Sequence, residues 1–327
     1  MDLRVDFWDV GQGDCSVIHL PNDELFIIDV GPPKCSLVEW LESQSRLKIH
    51  SIVITHNDED HAGCLEHILE TFHPRIERVV MMVDRHYQDE KMIRLLSCVL
   101  RHFDKGHIKL ENLQRAIKPT PLFWTESGDS VIKVMHPNFA SSAKNLLKKN
   151  PAPNEVSGIL CLDTGGETQI IWPGDAAMQT IAEVCKNINP VMIVGPHHGA
   201  PIKREQASYS PSFDAITPEN VFISVGSHNS HSHPNKQFIE EHVSRGRSVS
   251  CSQLVHCDRH RYKENLHVMN HHLLLGMMPP NEGNSVTCRG PIQLNWNDVD
   301  KCFEFDRFHS DHRAKIEDLH HPYCLGK

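Results

Sequence analysis

The 327-residue chain has no apolar run approaching the roughly 18 residues that a membrane-spanning helix needs. It also has no basic excess. Lys and Arg number 33 against 42 Asp and Glu, a formal net charge of −9 with histidine neutral. That balance argues against a broad cationic face for duplex nucleic acid and leaves room only for a local basic groove. Internal repeats, low-complexity tracts and Cys-x-x-Cys pairs are all missing. Gly11-Gln12-Gly13-Asp14 lacks the Lys-Ser/Thr of a P-loop, so it reads as a hairpin turn near the edge of a site. The opening MDLRVDFWDV is charged and strand-like, unlike a secretory leader. With 11 cysteines and no leader, the expectation is a cytoplasmic protein with reduced thiols and no membrane contact.

What the chain does have is histidine, 25 of them, and histidine is the commonest metal ligand. The length suits one large domain or a main domain with a small appendage. Alternation and turn residues predict strands at Leu3 to Trp8, Cys15 to Leu20, Leu25 to Val30, Ser51 to Thr55, Arg78 to Val83, Ser130 to Met135, Gly158 to Asp163, Gln169 to Trp172, Val191 to Val194 and Val221 to Val225. Helices are expected at Leu37 to Ser43, Ala62 to Thr71, Asp89 to Phe103, Ala177 to Lys186 and Pro234 to Ser244. In the third of these, Met92, Leu95, Leu96 and Leu100 should face inward. Strands and helices alternate, which predicts an α/β or α+β layered domain. Composition shifts near residue 250, giving a main domain over 1–250 and a Cys/His-rich segment over 251–327 whose Ser285 to Leu294 still reads as a strand of the main domain.

The chemistry concentrates after strands. Thr55 to Gly63 reads THNDEDHAG, placing His56, Asp58, Asp60 and His61 directly behind an apolar run. One loop can present His56 with Asp58 and Asp60 with His61 to two neighbouring cations. The plain alternative is a polar, capped helix start, since Asp is favourable there by itself. Three more segments follow the same plan of strand, Gly and ligand-type side chain: Pro173-Gly174-Asp175, Pro196-His197-His198-Gly199 and Asn229 to Pro234. Strand ends along one sheet edge are where sites in layered α/β proteins are built.

Together with Asp9 to Asp14 and Ile28-Asp29-Val30-Gly31, this ordered set resembles the metallo-β-lactamase fold superfamily of hydrolases. The branch it resembles is that of the hydrolase domain of ComEC-type competence DNA-uptake proteins and its free-standing relatives. The resemblance covers about residues 1 to 250. It implies a four-layer αββα sandwich with two divalent metal ions, Zn²⁺ or Mn²⁺. It also implies His56 and Asp58 on one ion, Asp60 and His61 on the other, and Asp175 bridging. Asp29 would support the site, and His198 or His233 would complete the second ion. The spacing from Asp175 fits His198 better, which leaves His233 or His197 to bind phosphate or pass a proton to the leaving group. Asp60 is a further candidate for orienting the nucleophile. The family's usual histidine ahead of the bridging Asp is missing, and the stretch reads Asn154-Glu155-Val156-Ser157. The first ion's ligands are therefore oxygen-rich, which favours harder ions such as Mn²⁺.

The activity implied is phosphodiester hydrolysis of nucleic acid or a nucleotide by metal-activated water. The alternatives are a carbonyl hydrolase of the β-lactamase or thioesterase kind, and a metal-binding subunit of a defence or DNA-handling complex. Cys15 and Cys64 read as packing residues. Cys251, Cys257, Cys288 and Cys302 are candidates for a structural Zn²⁺, with His256, His260, His309 and His312 as alternative members. Cys302, His309 and His312, or His320, His321 and Cys324, make a second set. Lys144, Lys148, Lys149, Lys203 and Arg204 read as solvated loop residues or as phosphate contacts.

Overall fold

The structure is a computed structural model and describes residues 3–82, 90–114, 119–147, 153–200, 210–227, 231, 233–253, 288–306 and 309–312. Its described strands are β1 (Arg4–Phe7), β2 (Cys15–His19), β3 (Glu24–Val30), β4 (Lys48–Val53), β5 (Ile76–Met81), β6 (Lys109–Asn112), β7 (Thr120–Trp124), β8 (Ser130–His136), β9 (Ile159–Thr164), β10 (Glu167–Trp172), β11 (Met192–Val194), β12 (Asn220–Ile223), β13 (Ser248–Cys251), β14 (Ile292–Asn297) and β15 (Cys302–Phe305). They form two sheets, ordered β15-β14-β1-β2-β3-β4-β5-β6 and β13-β12-β11-β10-β9-β8-β7. Each sheet is antiparallel on one side and parallel on the other. The parallel halves are β3 to β6 and β10 to β13.

The described helices are α1 (Leu37–Ser43), α2 (Glu59–Ala62), α3 (Leu65–Phe72), α4 (Glu90–Asp104), α5 (Phe139–Leu146), α6 (Met178–Val184), α7 (Ser210–Asp214) and α8 (Lys236–Val243). Burial divides the molecule into layers. In β3, Leu25 and Ile27 pack with α1, α3 and α4, while Phe26 and Ile28 pack between the sheets. In β10, Ile170 and Trp172 face the first sheet and Ile171 faces α6 to α8. A strand buried on both faces has no polar side, which explains runs such as Leu-Phe-Ile-Ile. The result is a four-layer αββα sandwich, the architecture that the resemblance implies. No helix among the described residues is long and apolar enough to cross a membrane.

Several expectations shift. The helix expected over Ala62 to Thr71 is two helices. Gly63 sits against Pro33, and the Cys64 N–H bonds the Gly31 carbonyl at 3.2 Å, which breaks the run. In α4, Leu100 is 49 % exposed, and the inward stripe runs through Met92, Leu95, Cys98 and Val99. β7, which carries Pro121, has no counterpart among the expected strands. It lies at a sheet edge, where proline is tolerated. Residues of the Cys/His-rich segment supply β14 and β15, which extend the first sheet beyond β1.

Candidate metal centre

The candidate residues converge at the carboxyl ends of the parallel strands. Asp29 ends β3, and His56, Asp58, Asp60 and His61 follow β4. Asp175 follows β10, His197 and His198 follow β11, and His233 follows β12. The backbone there is forced into uncommon shapes. Asp29, His197 and His198 all have positive φ, at 54°, 49° and 51°. Such left-handed residues are costly away from glycine and concentrate at functional sites. Gly174 has φ +50°, and a Cβ on it would lie 2.5 Å from Ser157 Oγ and 2.7 Å from Thr55 Oγ1. Only glycine lets the β10 end pass those hydroxyls and deliver Asp175.

Three imidazoles are held by one nitrogen and aimed with the other. His61 Nδ1 donates to Asp29 Oδ2 at 2.8 Å, and His198 Nδ1 donates to the Ser224 carbonyl at 3.0 Å. His56 Nδ1 lies 3.2 Å from Thr55 Oγ1 and 3.3 Å from Ser157 Oγ. Asp29 also accepts from the Thr55 backbone and hydroxyl, both at 2.8 Å. The three Nε2 atoms are buried and make no hydrogen bond, and neither does Asp175 Oδ1.

They face the Asp175 carboxylate from both sides. Oδ1 lies 3.2 Å from His61 Nε2 and 3.9 Å from His198 Nε2. Oδ2 lies 3.4 Å from both His56 Nε2 and His197 Nε2. His198 Nε2 is 3.2 Å from Asp60 Oδ2, and His56 Nε2 is 3.6 Å from Asp58 Oδ2. Two ligands about 2.1 Å from one tetrahedral ion stand roughly 3.4 Å apart. Buried lone pairs at such spacings fit divalent cations. Two overlapping groups, His56/His61/Asp175 and Asp60/His61/His198, are each compact enough to hold an ion, and they share His61, whose open Nε2 can serve only one of them. Asp58 occupies the N-cap position of α2, yet its side chain makes no capping bond and comes within 3.6 Å of His56 instead. The capped-helix alternative therefore does not account for it.

Electrostatics agree. Burial opposes charge on Asp175, but His56 and His61 hold its carboxyl well below the usual range. Burial likewise works against protonation of His61, yet Asp29 and Asp175 push its pKa well above the ordinary value. For His56 burial also lowers the pKa, and Asp175 outweighs it, raising the pKa to about 9. Protons on these rings balance the carboxylates, so cation binding has to displace them. His233 is pushed down to about 4 by burial and by the neighbouring His197 and His198. Its ring lies 5.3 Å from that of His197 and 6.3 Å from that of His198.

Asp14 was read as part of a turn and of the resembling Asp9 to Asp14 stretch, with no role assigned to it. It is buried 3.6 Å from His198 Nδ1, and burial raises its pKa to about 6. The repeated acid at the end of the Asp9 to Asp14 stretch was the available signal. At the position of the missing histidine, Ser157 Oγ accepts from the Asp175 N–H at 3.0 Å, and Asn154 Nδ2 is 3.5 Å from Asp175 Oδ2. Cys15 is buried, and burial and Cys64 raise its thiol pKa well above normal. Of the expected tail cluster, Cys288 is buried with Sγ 3.5 Å from His312 Nε2, Cys251 ends β13, and Cys302 opens β15. None of the three belongs to a compact metal-holding group among the described residues. Cys257, Cys324, His256, His260, His320, His321, Lys148, Lys149, Lys203 and Arg204 lie outside the described residues.

Residues 8–112 match the family model of the metallo-beta-lactamase superfamily. With the sandwich and the His/Asp groups at its strand ends, this match makes the chain similar to metallo-β-lactamase-type proteins, ComEC-type proteins among them. The chain is 22 % identical over 262 residues to ComE operon protein 3 of Bacillus subtilis (strain 168). That match covers 72 % of this chain and 30 % of the relative, so the chain spans under a third of the relative's length. Among solved structures it is similar to Igni18, a metallo hydrolase of Ignicoccus hospitalis. The identity is 18 %, the TM-score 0.45, and the match covers 76 % of this chain and 94 % of that one. It is also similar to the metallo-beta-lactamase fold protein YhfI of Bacillus subtilis, at 10 % identity and TM-score 0.44, over 76 % and 96 % of the two chains.

Proposed function

We propose that this chain is a two-metal hydrolase that cleaves phosphodiester bonds in a nucleotide or a short single strand of nucleic acid. The observation that carries the reading is the Asp175 carboxylate, with imidazole nitrogens at 3.2–3.4 Å on both of its oxygens. In this reading His56, Asp58 and Asp175 would hold one cation, and Asp60, His61, His198 and the same Asp175 carboxylate would hold the other. His198 is chosen over His233 because its Nε2 faces Asp60 at 3.2 Å. When bound, the cations supply Lewis acidity and lower the pKa of a water nucleophile.

The protein's own groups do the rest. Asp29 fixes the His61 tautomer, and Thr55 and Ser157 fix that of His56. Asp60 orients the nucleophile while serving as a ligand. His197, the most exposed of these rings, and His233 beside it hydrogen-bond a phosphoryl oxygen or carry a proton to the leaving oxygen. The first cation would have one imidazole and two carboxylates, with Asn154 and Ser157 nearby, a donor set that accepts Mn²⁺ as well as Zn²⁺. The resemblance to ComEC-type hydrolases supports a nucleic-acid substrate. The net charge of −9 favours a short or small substrate over long duplex.

The test is turnover of bis-p-nitrophenyl phosphate and of a labelled single-stranded oligonucleotide, with nitrocefin and a thioester as comparisons. Metal-dependent phosphodiester cleavage that Asp60→Ala abolishes is the expected result. Preference for nitrocefin or the thioester would replace this reading with carbonyl hydrolysis. Metal binding with no turnover of either class would point to a non-catalytic subunit.

A further inference from the structure

A separate histidine group lies at the opposite pole of the first sheet, before the amino ends of β5 and β6. α4 closes with the two hydrogen bonds of a Schellman turn. The Gly106 N–H bonds the Phe103 carbonyl at 2.8 Å, and the His107 N–H bonds the His102 carbonyl at 2.9 Å. Gly106 is left-handed, at φ +71°. This turn sets the two side chains at His102 and His107 against each other, and such pairs are usually apolar. Here both are imidazoles, with Nδ1 atoms 3.1 Å apart.

His73, at the end of α3, joins them. Its ring centroid is 4.3 Å from that of His107 and 4.8 Å from that of His102. Each of the three offers a ligand atom within 4.8 Å of the others. The proton positions suit ligation. His73 Nδ1 bonds the Leu69 carbonyl at 3.2 Å, which leaves its Nε2 lone pair open. The buried Nε2 of His102 makes no hydrogen bond and lies 3.7 Å from Glu70 Oε2, while its Nδ1 shares a proton with His107 Nδ1 at 3.1 Å, a contact that a cation between the two nitrogens would replace. A second nitrogen turned to a carbonyl or carboxylate is how ligating histidines are oriented. Burial, then His73, push the pKa of His102 and of His107 below the ordinary value. The adjoining Glu70 and Cys98 already share the Arg101 guanidinium, which leaves the three imidazoles as the donor set.

We propose that His73, His102 and His107 form a second, structural metal site that takes a divalent imidazole-preferring ion such as Zn²⁺ and ties the end of α3 to the end of α4. Three neutral nitrogens suit Zn²⁺, Ni²⁺ or Cu²⁺ and discriminate against Mg²⁺ and Ca²⁺. The exposed His107 can swing to close the site, and water completes the shell. This inference does not depend on the strand-end centre.

The experiment is a Co²⁺ titration of the full-length protein, followed by visible absorption, for wild type, His107→Gln, His73→Gln and Asp175→Ala. His107 is exposed and His73 half-buried, so both substitutions spare the core. The expected result is one Co²⁺ equivalent lost in each His→Gln variant and retained in Asp175→Ala. Zn²⁺ should also raise the Tm of Asp175→Ala, and Asp175→Ala/His107→Gln should lose that rise. The same number of equivalents in wild type and both His→Gln variants would overturn the proposal.

Discussion

The Asp29 carboxylate accepts a 2.8 Å hydrogen bond from His61 Nδ1, and the same oxygen takes the Thr55 hydroxyl at 2.8 Å. One side chain at the end of β3 thereby sets both the tautomer of His61 and the path of the loop that carries His56. The acid acts through its neighbours and need not touch a cation.

Asp29→Asn therefore tests positioning. An amide nitrogen in place of Oδ2 would oppose the His61 N–H and favour the wrong tautomer. The expected outcome is a folded protein whose affinity for Zn²⁺ or Mn²⁺ falls by roughly 10–100-fold, read by competition with a chelating dye. Unchanged affinity would show that His61 is oriented without Asp29.

Gly174→Ala tests the tight passage of β10 past Thr55 and Ser157. Left-handed strain plus overpacking predicts a loss of roughly 2–4 kcal/mol of unfolding free energy. Gly166→Ala is the control. Its φ is +89° with nothing within 4 Å of an added Cβ, so only the conformational cost of about 1–2 kcal/mol applies. Equal losses at the two positions, measured in urea, would contradict the crowding seen at Gly174.

Ser157→Ala removes the acceptor of the Asp175 N–H and a partner of His56 Nδ1. An unsatisfied buried N–H costs about 1–3 kcal/mol. That loss should appear in chelator-treated protein. Stability equal to wild type would mean that another group reaches the Asp175 amide.

His242 predicts an acid-side dependence away from the centre. It is buried against Phe213 and Phe238, with Nδ1 3.0 Å from Arg247 Nη1. Burial, then Arg247, hold its pKa well below 6.5 in the folded state. The folded protein therefore binds fewer protons here than the unfolded chain does. Its contribution to stability is full above about pH 6.5 and is lost as pH falls toward the depressed value. His242→Gln keeps an acceptor for Arg247 and cannot titrate. Its stability should fall less steeply between pH 6.5 and 5, by up to about 1.4 kcal/mol per pH unit. Parallel pH profiles would rule out a neutral buried His242.

Much of this was readable in sequence. His56, Asp58, Asp60, His61, Asp175 and His198 each follow a strand and carry a donor atom, and period-two patterning places strands well. Asp14 was less readable, because a buried acid in a turn looks like any turn acid until the fold brings His198 beside it. The histidines at 73, 102 and 107 carry no motif, and only a helix-closing turn and a neighbouring helix end make them a group. Leu100 misled because its spacing matches an apolar stripe whose centre actually runs through Val99. The spacing from Asp175 already favoured His198 over His233, and the 3.2 Å between His198 Nε2 and Asp60 Oδ2 supports the same choice.

The most direct test of the two-metal account is elemental analysis of the protein purified without added metal, beside Asp175→Ala, each repeated after Mn²⁺ or Zn²⁺ loading. The account predicts that both strand-end ions disappear together in the variant, because both would rely on the same Asp175 carboxylate. Loss of neither, or a folded wild type that takes up no metal there even after loading, would contradict it.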